Sequence, residues 1–248
     1  MEKISQSTGI SSQRILFQRQ QTSIDSNMNS VSASQRHNHC HNKQEKRKKM
    51  SETILGFDAN SIGASSFIVT NIKPLFDALI AAGSVKQDYW GFYHSVYIHL
   101  KGGSFVMTLL TPGNVIIDVL KLIANIATDV TLLGLCGSLN PNYPVATIVV
   151  PQFVTNSNDP MQKTVLNQNC NTGLCVCQVD GLVQTDNFYK QLEKVGVDFV
   201  DMESFFLKEQ LPKMSLKTIS VVSDMPLISP FYKFNPINID IEAIISSL

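Results

Sequence analysis

After Met50 the sequence contains no arginine: all four, Arg14, Arg19, Arg36 and Arg47, precede it. The two-pronged planar clamp that arginine places on phosphate or carboxylate is therefore excluded from the rest of the chain. Long apolar runs are missing too. No segment approaches the ~20 uninterrupted apolar residues of a membrane helix, so no membrane partner is expected. The cysteines number five, an odd count, and no apolar leader stands at the N-terminus, which argues against a secreted disulfide framework. A reduced, cytoplasmic protein is the expectation. A basic surplus is absent from the body as well: nine Lys and Arg face three Asp and Glu through Met50, but eleven face seventeen after it. Nothing there attracts a nucleic-acid backbone.

What is present divides at the same point. Residues 1–50 are rich in Ser, Gln and Asn, lack apolar periodicity and finish in the charge run "KQEKRKK"; they read as a disordered basic tail ahead of one domain, 51–248. The stretch "HNHCHNK" groups His37, His39, Cys40 and His41, but a structural zinc site draws paired ligands from two separated places, so no metal site is assigned. Cys175 and Cys177 in "LCVCQV" alternate with Leu174, Val176 and Val179 and read as strand packing.

From Ser65 onward, apolar runs of strand length alternate with helical stretches. "SSFIVT", "SVYIHL", "SFVMTLL", "VTLLGL", "ATIVVPQFV", "GLCVCQV", "VDFVDM" and "KTISVVSD" read as strands. "PLFDALIAAG", "NVIIDVLKLIANI", "DNFYKQLEKVG" and "SFFLKEQL" read as helices, the first with Pro74 in its opening turn and Gly83 at its end. Such alternation predicts an α/β fold, with a largely parallel sheet covered by helices and the ligand crevice at the carboxyl ends of the strands.

One segment raises a chemical question. "VDFVDMESFFL" sets Asp198, Asp201 and Glu203 among Phe199, Val200, Phe205, Phe206 and Leu207, too apolar for a loop and too acidic for plain core. Glu203 follows one strand, and Asp224 ends another. Both are expected to project into the same crevice, where apolar neighbours raise a carboxyl pKa towards the range of a working general acid. A capping or salt-bridged carboxylate gives the same pattern.

"VDFVDMESFF" resembles the "MES" segment of the nucleoside phosphorylase and nucleosidase superfamily, "SVVSDMP" resembles its "SD" segment, and "LGLCGSLNP" its "GSCGSL" segment, in matching order. "VQTDNFYKQLEKVGVDFVDMES" and "HLKGGSFVMTLLTPGNVIIDVLKLI" look like the hexameric purine nucleoside phosphorylase branch. The resemblance runs from about Ser65 to Pro226. It implies a three-layer α/β/α sandwich with a mixed, largely parallel central sheet. It also implies cleavage of the N-glycosidic bond of a purine or modified purine nucleoside, and a homo-oligomer: dimer, trimer or hexamer. Residue by residue, the resemblance implies that Met202 packs beneath the ribose and that Glu203 accepts from its 2′ and 3′ hydroxyls. It implies also that Asp224, beside Ser223, protonates N7 of the leaving base, that Phe188 stacks on the base and that Tyr189 flanks it. Gly137 and Gly113 stand in the family's two Gly-rich turns.

The anion ligands depart from the family. Phe76 stands where the phosphorylase branch carries its first phosphate arginine, Leu132 stands near the second, and Leu135 replaces the phosphate serine. Lys73, Ser138 and backbone N–H groups remain for a weaker anion site. Hydrolysis, or phosphorolysis with an altered phosphate site, is the expected reaction, with no cofactor beyond phosphate as a possible co-substrate. A nucleoside-binding sensor or storage-like protein is the alternative, and a scaffold serving the basic tail is the third reading.

Overall fold

Alternate residues along each central strand face two different cores. The computed structural model describes residues 33–63, 66–110, 115–123, 127, 129–181, 184–212, 214–228 and 239–248, with 33–42, 44 and 115 by backbone alone. In chain order it begins with α1 (Ala33–Leu55), β1 (Ser66–Thr70), α2 (Lys73–Ala82), β2 (Ser84–Trp90), β3 (His94–Leu100) and β4 (Gly103–Leu109). Then follow α3 (Val115–Ile123), β5 (Asp129–Ser138), β6 (Ile148–Val149), β7 (Phe153–Asn156), β8 (Asp159–Val165) and β9 (Cys175–Gln178). The chain closes with α4 (Asp186–Lys194), β10 (Phe199–Asp201), α5 (Ser204–Gln210), β11 (Ser215–Asp224) and α6 (Ile241–Ser247).

The chain divides into two compact units, Met1–Arg47 and Lys48–Leu248. In the first, residues 33–47 of the segment read from composition as disordered are helical. Lys, Arg, Glu and Gln dominate "KQEKRKK" and are strong helix formers, so low hydrophobicity there does not preclude a helix. In the second unit the helix ends at Gly56, whose φ of +82° is a left-handed stop, and a Cβ there would lie 2.7 Å from the Trp90 backbone nitrogen.

The strands form one sheet in the order β2-β3-β4-β1-β5-β10-β9-β7-β8, with β11 paired to β5 and β6 to β11. β4–β1–β5–β11 and β10–β9–β7 run parallel, whereas the β2–β3–β4 meander, β7–β8, β6–β11 and β5–β10 are antiparallel. The sheet is thus mixed: two parallel groups join through the antiparallel β5–β10 pair at its middle, and antiparallel strands flank them at both margins. In β1, Phe67 and Val69 enter one core while Ile68 enters the other; in β11, Leu216 and Val222 enter the first and Ile219 and Val221 the second. α3 covers the first face through Ile116, Leu120 and Ile123, and α2 and α6 cover the second through Leu75, Phe76, Leu79, Ile244 and Ile245. That is the expected three-layer sandwich. A third, smaller cluster gathers Cys175, Cys177, Tyr189, Leu192 and Val200, so the two cysteines are core residues of β9.

β5 positions the site. It pairs with β11 along its length, and gives its other edge to β1 over Asp129–Leu133 and then to β10 at Gly137 and Ser138. The end of β11 and the start and end of β10 therefore converge around Gly137. The reading of "ATIVVPQFV" as one strand is corrected to two, β6 and β7, separated at Pro151, whose ring removes a ladder donor.

Candidate functional site

At the end of β11 the register slips. Val222 opposes Cys136 and Asp224 opposes Gly137, so Ser223 has no partner across the ladder. A bulge of this kind turns the strand and re-aims its side chains. Ser223 is only 3% exposed, and its hydroxyl reaches both Asp224 Oδ1, at 2.7 Å, and the Cys136 carbonyl, at 3.2 Å. Oδ2 of Asp224 hangs over Gly137, where a Cβ would lie 3.3 Å from it and 3.0 Å from both Val200 and Pro226. Glycine is what allows β10, β11 and the following turn to approach this closely. Burial pushes the Asp224 carboxyl above the ordinary aspartate range, and the Ser223 hydroxyl partly offsets that by favouring the charged form.

The three acids of "VDFVDMES" have different surroundings. Asp198 is structural: Oδ2 accepts from the Cys175 N–H at 2.9 Å and Oδ1 from Asn140 Nδ2 at 3.0 Å, tying β9 to the loop after β5. Asp201 ends β10 and holds the first turn of α5, its Oδ1 accepting from the Ser204 N–H at 3.4 Å and its Oδ2 from the Ser204 hydroxyl. Burial raises its pKa to about 6 against the opposing pull of these donors. Glu203 lies at the N-cap of α5, half-buried.

All of this surrounds one cavity of about 480 Å³. Asp224, Ser223, Glu203, Met202, Tyr189 and Gly137, named from the sequence, all line it, together with Asp201, Cys136, Leu135, Val179, Val200, Pro226 and the β1–α2 connection Asn71–Pro74. The wall is mainly apolar, and the polar groups converge on it from β10–α5 and β11, the arrangement of a small-molecule site. Tyr189 reaches it because the Thr185 hydroxyl caps α4, accepting from the Phe188 N–H, and turns Tyr189 and Leu192 inward. Phe188, one position earlier and so about 100° away around the helix, is not among the lining residues; it packs half-buried with its ring 5.8 Å from that of Tyr189. Ser138 is buried and donates to the Asn140 carbonyl. Gly113 lies outside the described residues. Lys73 is the cation of the described lining, and its Nζ stands 2.5 Å from Asp77 Oδ2.

Sequence reasoning did not anticipate Asp201 as part of the wall, although the Asp-x-x-Ser spacing ahead of a helix is a readable capping signal. The bulge at Ser223 had no such signal. Among the described residues no group of His, Cys, Asp and Glu is arranged to hold a metal ion.

No protein-family model matches the sequence, and no curated protein matches it. Solved structures do match the fold. AMP nucleosidase from Bacteroides thetaiotaomicron VPI-5482 superposes with a TM-score of 0.57 at 16% identity, over 73% of this chain and 90% of that one. The S-adenosylhomocysteine nucleosidase of Streptococcus pyogenes, in complex with 5-methylthiotubericidin, gives 0.58 at 12% identity, over 75% and 96%. The P. knowlesi homologue of P. falciparum PNP gives 0.52 at 18%, over 73% and 85%. The chain has the nucleoside phosphorylase and nucleosidase fold. Within that fold the cavity lies where the carboxyl ends of β1 and β11 meet β10, the end of an α/β sheet at which ligands bind.

Proposed function

We propose that this cavity binds a purine nucleoside, or a modified one, and cleaves its N-glycosidic bond by hydrolysis. The observation that carries the reading is the convergence of Asp224 and Glu203, from separate strand ends, on one apolar-walled cavity. Glu203 accepts hydrogen bonds from the ribose diol, and Met202 packs beneath the sugar. Asp224, whose protonated form burial favours and which is oriented through Ser223, gives its proton to the departing base, which leaves more easily from an oxocarbenium-like sugar once neutralised. Tyr189, not Phe188, supplies the aromatic wall. Water is preferred to phosphate as the nucleophile because the described lining offers one lysine, already paired with Asp77, and no arginine.

A second reading, binding without turnover, draws on the remaining acid. Once Glu203 and Asp224 are assigned, the other carboxylate in the wall is Asp201, and both of its oxygens accept from Ser204. The test is base release from a panel of purine nucleosides, including a 5′-methylthio one, with and without phosphate. Release independent of phosphate and abolished by Asp224→Asn supports the hydrolase. Release only with phosphate replaces it by a phosphorylase with an arginine-free anion site, and saturable binding without release replaces it by a sensor.

A further inference from the structure

Helix α5 opens on N–H groups that have no partner within the helix, and side chains of the sheet take them. Asp201 Oδ1 accepts from the Ser204 N–H at 3.4 Å and its Oδ2 from the Ser204 hydroxyl, while the Glu203 N–H also favours its charged form. Gln178 Oε1 accepts from the Phe206 N–H at 2.7 Å. Glu203 itself occupies the N-cap, a position whose side chain commonly makes such bonds, but its carboxylate makes no capping hydrogen bond. On the reading of Glu203 as the ribose acceptor, on which this depends, we propose that Asp201 is a positioning residue for ribose recognition: it fixes the backbone at Glu203 so that this carboxylate meets the 2′ and 3′ hydroxyls.

Glu203 stands between two anchored residues that bond to each other. On one side, Asp201 is the last residue of β10, paired with Gln178 of β9, and its carbonyl accepts from the Val179 N–H at 2.8 Å. On the other, Ser204 is fully buried, and the Glu203 carbonyl accepts from the Leu207 N–H at 3.0 Å. The Asp201 carboxylate closes this short step, so the direction in which the Glu203 side chain leaves the backbone is set by the sheet before any ligand arrives. A recognition group held beforehand gives up less freedom on binding.

Asp201 lines the cavity, yet it is only 7% exposed and both of its oxygens are directed to α5. It therefore acts on the ribose through Glu203 rather than by contact. Its cost is the one expected of a buried carboxylate: the pKa rises to about 6 although its hydrogen-bond donors favour the charged form. An apolar residue would avoid that cost but would leave the Ser204 N–H and hydroxyl without this acceptor, at the turn that carries Glu203.

The test is calorimetric titration of the full-length protein with a C-nucleoside analogue of adenosine, whose carbon–carbon glycosidic bond cannot be hydrolysed, and with its 2′,3′-dideoxy counterpart. The wild type is expected to prefer the diol at least tenfold, the ~1.4 kcal/mol that one hydrogen bond to a charged group supplies. Glu203→Gln sets the size of a full loss. Asp201→Ala is expected to shrink the preference to roughly threefold or less while leaving affinity for the dideoxy compound within about threefold of the wild type. Asp201→Asn, whose amide oxygen still accepts from the Ser204 N–H, is expected to keep the preference. Ser204→Ala, which removes the hydroxyl contact alone, serves if Asp201→Ala does not fold, with the preference expected to fall roughly threefold. Retention in Asp201→Ala of a preference that Glu203→Gln loses overturns the positioning role and leaves the ribose reading standing, as does an equal loss of affinity for both compounds. Absence of binding by the wild type, binding indifferent to the diol, or a preference that survives Glu203→Gln overturns the ribose reading and the positioning role with it.

Discussion

Asp224 works, on this reading, only while protonated, and burial is what keeps it so at higher pH than an exposed carboxyl. The sign follows directly. Base release is expected to fall as pH rises through the raised Asp224 pKa, and a pH–rate profile of the wild type checks it. Asp224→Asn is expected to remove that limb and lower the rate by roughly 10²–10⁴-fold. Ser223→Ala discriminates further. Its hydroxyl favours the ionised form of Asp224, so its loss is expected to move the falling limb to higher pH, an effect that simple damage to the site does not produce. Asp201 titrates with a different readout. Its pKa of about 6 lies above the ordinary 3.8, so its contribution to stability is complete below the latter and lost as pH rises through the former. Relative to Asp201→Asn, the wild type is expected to lose stability across that window, on the order of 3 kcal/mol, measurable by denaturant unfolding at a series of pH values.

At the scale of elements, the segment between β9 and α5 shows why acids and apolar residues share one short stretch. Phe199 and Val200 are core, Asp198 and Asp201 accept backbone N–H groups, and Glu203 faces the cavity. Asp198→Ala is expected to cost about 1–3 kcal/mol by orphaning the Cys175 N–H and the Asn140 amide, with base release unchanged per folded molecule; paired unfolding and activity assays check it. The apolar-acidic pattern made Glu203 legible in the sequence, and the strand ending at Asp224 did the same for its acid. Tyr189 lines the cavity and Phe188 does not, because adjacent helical positions point about 100° apart, and nothing in "DNFY" says which one faces the cavity before α4 is docked. β2 and β8 were not read as strands because every residue of "SVKQDYW" and "DPMQKTV" is exposed or half-buried. Without a buried face there is no alternation to detect, and their pairing is fixed by neighbours instead.

At the scale of the whole molecule, the sheet was legible because its central strands are apolar on both faces, the sign of a sheet covered by helices twice over. The boundary of the folded body was less so, since composition changes near Met50 while the compact unit begins at Lys48. The reason lies in the last turns of α1. Lys48 stands 3.8 Å from Asp58, the Ser51 hydroxyl oxygen accepts from the Ala59 N–H, and the carbonyls of Thr53 and Ile54 accept from the N–H groups of Phe92 and Tyr93. Leu55 is fully buried. Ser51 and Leu55 are buried and Ile54 packs against the core, although polar neighbours conceal them in the sequence. Two truncations separate the possibilities. Removing residues 1–47 is expected to leave the melting temperature of the body unchanged, because every contact just named survives. Removing residues 1–55 is expected to cost at least the ~2–5 kcal/mol of emptying one buried leucine site, and to expose the Phe92 and Tyr93 amides to hydrogen exchange. Equal melting temperatures for the two truncated chains would show that the last turns of α1 contribute nothing to the body's stability.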